Sequence, residues 1–153
     1  MPTLRHATLA DADIITLHRH QMFADNNFAS EDRFAKMDAT FKPWLLAHLA
    51  DNTYIGLLLV EDGKVLAGAG IYLLDFPPHW MDIEPRRAYL LNFYTAPEAR
   101  GHGYANQLLR AAVHECRHLG IGVVTLHASQ YGRPIYEKFG FKSSTEMMLR
   151  LTP

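Results

Sequence analysis

Apolar positions recur at helical spacing over Leu9–Phe23, where Ile14, Ile15, Leu17 and Met22 form one broad stripe and Asp11 stands at a capping position. A second helical run carries Phe34, Met37, Phe41, Trp44, Leu45 and Leu49. Pro43 falls inside it and is expected to divide it, opening a new segment at its own first turn. Ala24–Ser30, between the runs, is polar and reads as a loop. The pattern then changes to strand type. Tyr54–Glu61 and Lys64–Asp75 flank Asp62-Gly63, a two-residue hairpin signal, and Gly68 and Gly70 predict a bulge or a closely approaching neighbour. Phe76–Arg87, with three prolines, is a long excursion, and Tyr89–Tyr94 is a short aromatic-rich strand ended by Thr95-Ala96-Pro97. A glycine-rich turn at Arg100–Gly103 leads into a helix from about Tyr104 to Leu119, stopped by Gly120. Ile121–Ala128 reads as a strand and Tyr131–Phe139 as a short helix ended by Gly140, with Phe141 and Glu146–Leu151 as closing strands. No repeat or linker interrupts this order, so residues 1–153 are expected to form one domain.

Composition narrows the class. Apolar residues make up 48% of the chain, enough for a substantial core. A formal charge of −1 speaks against nucleic-acid binding and against a polybasic membrane patch, so an anionic ligand must be caught by a local site. The apolar stretches Ile55–Val60 and Leu66–Leu74 are too short or too glycine-broken to span a bilayer. Arg5, Asp11 and Asp13 fall where the apolar core of a signal peptide would lie. The lone cysteine, Cys116, excludes an internal disulfide framework and suits a reducing cytosol. A soluble, cytoplasmic protein is expected.

The chemistry concentrates at Arg100-Gly101-His102-Gly103-Tyr104-Ala105, between a strand and a helix. The two glycines let the backbone turn tightly and let a ligand approach. The first helix amides then point outward unpaired, and the helix dipole adds partial positive charge, which suits a phosphate or pyrophosphate. A P-loop would need a Lys-Ser/Thr pair after its last glycine, and none is present. A dinucleotide fingerprint would need a third glycine where Asn106 stands.

Arg100-x-x-Gly103-x-Ala105, preceded by Leu90–Thr95 and Pro97-Glu98, resembles the acetyl-CoA motif of the Gcn5-related N-acetyltransferases (the GNAT family). A second stretch, Ser129–Phe141, looks like that family's C-terminal motif. The order of elements matches too, so the resemblance covers nearly the whole chain. It implies an α/β fold with a mixed, mainly antiparallel sheet, splayed between two central parallel strands, with helices on both faces. Those strands would be Tyr89–Tyr94 and Ile121–Ala128, joined by a right-handed helical crossover. It further implies that an amine attacks acetyl-CoA directly, without a protein nucleophile or a metal. The backbones of Phe93, Tyr94 and Thr95 would then lie along the pantetheine arm. A backbone amide near Asn92 or Phe93 would polarise the thioester carbonyl. The turn of Arg100, Gly101, His102, Gly103, Tyr104 and Ala105 would hold the pyrophosphate, and Ser129 and Gly132 would approach the cofactor. Tyr136 would donate a proton to the departing CoA thiolate. The family often has Asn where Ser129 stands and Ala where Gly132 stands.

The acceptor is not legible: a small polyamine, an amino acid, an antibiotic or a protein amine all fit. Ala24–Ser30 and Phe76–Arg87 are expected to shape its pocket, with His79, Asp82, Glu84 or a water as base. A homodimer is left open.

One motif competes. His114-Glu115-Cys116-Arg117-His118 matches the His-Glu-x-x-His helix of zinc metallopeptidases. On a helical wheel, however, Ala105, Leu108, Leu109, Ala112, Cys116 and Leu119 share the core face, and both histidines lie opposite. A third reading keeps the fold as a non-catalytic acyl-CoA sensor; an intact Tyr136 beside an intact turn weighs against it. His18-x-His20 reads as helix surface, His127 as a polar groove wall, and Cys116, Phe34, Phe41 and Trp44 as core.

Overall fold

The computed structural model describes residues 1–153. Strand β1 (Thr3–His6) precedes helices α1 (Ala12–Asp25) and α2 (Glu31–Ala50). The hairpin β2 (Tyr54–Glu61) and β3 (Lys64–Asp75) and the strand β4 (Arg86–Thr95) follow. Helix α3 (Tyr104–His118), strand β5 (Val124–Leu126) and helix α4 (Arg133–Phe139) complete the order. The sheet runs β1-β2-β3-β4-β5, antiparallel throughout except for the parallel pair β4–β5. Its two faces bury different cores. On one, α3 sets Leu108, Leu109, Ala112, Val113 and Cys116 against Leu57, Ala69, Ile71 and Leu90. On the other, α1 and α2 bring Ala12, Ile15, Phe41 and Leu45 onto Tyr54. Fold class and helix placement are therefore those the sequence implied.

Four local readings change. The chain enters the sheet earlier than the pattern indicates, because β1 pairs with β2 through backbone bonds while its four side chains stay exposed and carry no alternation. Asp11 does not cap α1 forward. Its carboxylate accepts from the Thr8 amide (2.8 Å) and takes both Nη groups of Arg5 (2.8 and 2.9 Å), closing a short 3₁₀ turn at Leu9–Asp11. Pro43 does not divide α2, which runs unbroken. Phe41 and Leu45, either side of the proline, belong to one core cluster, so a break between them would expose apolar area worth more than one lost helix bond. Lastly, Phe141 and Glu146–Leu151 form no strands. A strand exists only where a neighbour accepts its ladder, and none does here, which leaves β5 as the outer strand of the sheet, not a central one.

His18 also departs from its surface reading. It is buried, tilted against the Tyr94 ring at 5.1 Å, and burial lowers its pKa to about 4. His20 bridges the helices, bonding Asp38 (2.6 Å) and Glu31 (3.1 Å) of α2.

Candidate active site

Strand β5 bonds β4 only where Ala88, Tyr89 and Leu90 face Val124, Thr125 and Leu126. Beyond Leu90 the two strands part, and Leu91–Thr95 have no strand on that side. A groove of about 920 Å³ opens there, walled by β4, α1, α4 and the start of α3.

A bulge shapes its centre. Leu91 pairs with Gly70 and Tyr94 with Gly68, so Asn92 and Phe93 together oppose Ala69. Asn92 adopts φ 59, a left-handed conformation that a short polar side chain tolerates. The bulge interrupts the alternation: Leu91 and Asn92 both lie on the α1 side, and Phe93 returns to the α3 side. Asn92 faces α1, where its Nδ2 donates to Tyr54 Oη (3.0 Å) and its Oδ1 accepts from Arg19 Nη1 (2.8 Å). Phe93 faces the α3 side, edge-on to Tyr136 with ring centroids 6.0 Å apart. The glycine expectation holds in both forms. The bulge lies opposite Gly68–Gly70, and a Cβ on Gly70 would overlap the Tyr54 hydroxyl at 2.1 Å.

At one end of the groove, Gly101 and Gly103 take φ 84 and 79, and no atom lies within 4 Å of where a Cβ would sit. The amides from Gly101 to Asn106 find no backbone acceptor. Placed at the positive end of α3, such a run can hold a phosphate-type anion. Arg100 braces this end: its Nε donates to Thr95 O (3.1 Å) and its Nη2 to Asp25 Oδ2 (2.9 Å), and Glu98 pairs with Lys64. The His102 ring turns off the groove, bonding Ala99 O (3.0 Å) and stacking on Tyr104.

The opposite wall is α4 and the turn before it. Ser129 Oγ accepts from the Gly132 amide (3.1 Å), fixing the helix start. A Cβ on Gly132 would come within 2.9 Å of the Tyr136 ring, so glycine there makes room for the tyrosine. The Tyr136 hydroxyl bonds nothing in the chain. Burial pushes its pKa up to about 12, so the phenol is protonated at neutral pH.

The groove thus gathers Tyr136, Asn92, Phe93, Tyr94, Thr95, Arg100, Gly101, Gly103, Tyr104, Ala105, Ser129 and Gly132; of the expected residues, only the His102 side chain stays off its wall. Three proposed bases are elsewhere. Asp82 accepts from the Gly122 amide (3.1 Å), His79 bridges Asp82, and Glu84 pairs with Arg86 (3.0 Å), all at the far end of β4. Asp25, Asn26 and Phe28 line the groove, so α1 and the turn after it shape this site while Phe76–Arg87 does not. The structure adds Arg19 and Phe23 from α1, and a Tyr89–His127 pair at 2.7 Å. His114 and His118 stand exposed on α3, and Glu115 faces His6 (3.0 Å).

The family model described as Acetyltransferase (GNAT) family matches residues 13–141. The chain belongs to the GNAT family. Over its full length it resembles a GCN5-related N-acetyltransferase from Ralstonia eutropha JMP134, with a TM-score of 0.94 and 32% identity over 99% of both chains. A predicted acetyltransferase from Clostridium acetobutylicum, solved with acetyl-CoA, aligns at a TM-score of 0.90 with 29% identity, covering 98% of this chain and 96% of that one. An uncharacterized N-acetyltransferase, YycN of Bacillus subtilis, is 33% identical over 76 residues, 45% of this chain; that match spans about half (49%) of the curated relative. By family, then, this GNAT chain is an acetyl-CoA-dependent N-acetyltransferase, and acetyl transfer is its general kind of reaction. The residues fit that co-substrate: an unpaired amide run for an anion lies beside a free strand edge for an amide-bearing arm.

Proposed function

We propose that the chain transfers an acetyl group from acetyl-CoA to a primary amine by direct attack, within one domain spanning residues 1–153. The observation that carries this reading is the unpartnered, protonated Tyr136 phenol beside Phe93, where β4 and β5 part. Acetyl-CoA supplies the activated thioester. The amides of Gly101–Asn106 hold its pyrophosphate, and the free edge of Phe93–Thr95 takes the pantetheine as an added strand would. A backbone amide at the Asn92–Phe93 bulge polarises the thioester carbonyl. Tyr136 gives a proton, or a hydrogen bond, to the sulfur as the carbon–sulfur bond breaks. Since no carboxylate or histidine from Phe76–Arg87 lines the groove, a water or His127 takes the amine's proton.

A cytoplasmic setting is part of the proposal, supported by Cys116, a lone and buried free thiol that suits a reducing compartment. The chain is proposed to be a homodimer, because Met147, Met148, Leu149 and Leu151 are 72–95% exposed while β5 leaves its outer edge unpaired. The deciding experiment is acetyl transfer to polyamines, amino acids, aminoglycosides and peptides, read as free thiol release. Acetyl-CoA binding without release on any of them would favour a sensor over an enzyme.

A further inference from the structure

Arg19 is a cation without an anion. Helix α1 packs along β4, and the Arg19 guanidinium lies between the rings of Phe23 and Phe41, 5.0 and 4.8 Å from their centroids. Its Nη1 bonds Asn92 Oδ1, its Nε is buried with no partner, and no carboxylate pairs with it. Burial pulls its pKa below the usual arginine value. Desolvating a guanidinium without a counter-ion is unfavourable, and an anion that met its open N–H groups would relieve that cost.

The groove identifies the ligand. The charged residues that line it are Arg19, Asp25 and Arg100. Asp25 is neutralised by Arg100 at the phosphate end, so the Arg19 charge is left over. Arg19 lies six residues before Asp25 on α1, about 9 Å away along the axis, at the end remote from the amide run. Pantetheine is neutral, so nothing in the co-substrate needs a cation there. The same end carries the Tyr89–His127 pair.

Resting on the acetyltransferase reading above, we infer that Arg19 is the anchor for an anionic group on the acceptor: the substrate is an amine that carries its own carboxylate or phosphate, held by the free N–H groups of Arg19 beside the bulge. Planar carboxylate matches the guanidinium fork in two parallel bonds, and phosphate meets it similarly.

Paired acceptors test this: lysine against cadaverine, phenylalanine against phenethylamine, β-alanine against propylamine, with phosphoethanolamine separating phosphate from carboxylate. The wild-type protein is expected to use an anionic member with at least tenfold higher kcat/KM than its uncharged partner. Arg19→Gln should remove that preference through KM, with kcat within about threefold and acetyl-CoA affinity unchanged; Arg19→Lys should restore part of it. Equal use of both members, transfer to neither while acetyl-CoA binds, or a uniform fall in kcat on charged and uncharged amines alike would each overturn the inference; the last would move Arg19 to the thioester. Should Arg19→Gln fail to fold, the wild-type comparison decides alone. A wild-type protein that does not bind acetyl-CoA would instead overturn the acetyltransferase reading beneath it.

Discussion

At the scale of single residues, Tyr136 and His18 make opposite uses of burial. Both lose water, and each is pushed toward its neutral form: the phenol up to about 12, the imidazole down to about 4. For Tyr136 this keeps the phenol protonated, as the proposed donation to a thiolate requires. Tyr136→Phe preserves the packing on Phe93 and Phe141 and removes only the hydroxyl. The turnover number should fall about a hundredfold with acetyl-CoA affinity near wild type, because general-acid assistance acts in the transition state. Steady-state kinetics with a separate binding titration checks it; full turnover would make Tyr136 a packing residue. For His18 the consequence is stability. The unfolded chain takes up a proton near pH 6.5, whereas the folded imidazole resists until about 4. Stability is therefore whole above that window and falls as pH drops through it, by about 3 kcal/mol at the bottom. Urea midpoints from pH 7.5 to 5 should drop more steeply for wild type than for His18→Asn. Parallel slopes would mean that carboxylates alone set the acid limit.

At the scale of elements, the turn before α3 does two things with one conformation. Left-handed backbone at Gly101 and Gly103 aims successive amides the same way, and the missing side chains leave the approach open. Gly103→Ala has space for its methyl in the empty protein, yet holds an L-residue at positive φ at a cost of roughly 1–2 kcal/mol. A folded, somewhat less stable protein is expected, with acetyl-CoA affinity about tenfold weaker by calorimetry. Unchanged affinity would place the pyrophosphate elsewhere. Helix α2 teaches the reverse lesson. Pro43 is a strong local signal for a break, and packing on both sides of it prevails, because one missing amide bond is a smaller term than burial of Phe41 and Leu45.

At the scale of the whole molecule, the sheet ends in a three-residue strand, and Met147, Met148, Leu149 and Leu151 lie exposed outside it. An unpaired edge and an unpaired strand-type segment in one chain complement each other between two copies. Sedimentation velocity at micromolar concentration should show a dimer, and a chain stopped after Thr145 a monomer; a monomeric full-length protein would dismiss the pairing. The groove itself is also a whole-molecule property, since it exists only because β4 outruns β5. Much of it could nevertheless be read in advance. Strand, glycine turn and helix at Tyr89–Leu119, the Asp62-Gly63 hairpin, the core face of α3 and the short helix before Gly140 are encoded by residues adjacent in sequence, whereas the roles of the turn and of Tyr136 in a cofactor groove came from the resemblance to the GNAT motifs. Backbone preference and helical or strand periodicity act over a few positions, and those are visible in one chain. What only the tertiary structure decided acts across the sheet: that Asn92 shares the α1 face with Leu91, the burial of His18, and the continuity of α2. The bond from Arg19 to Asn92 is the clearest case. It joins residues 73 positions apart through the packing of a helix on one face of a strand, and no local pattern carries information about which side chains meet there.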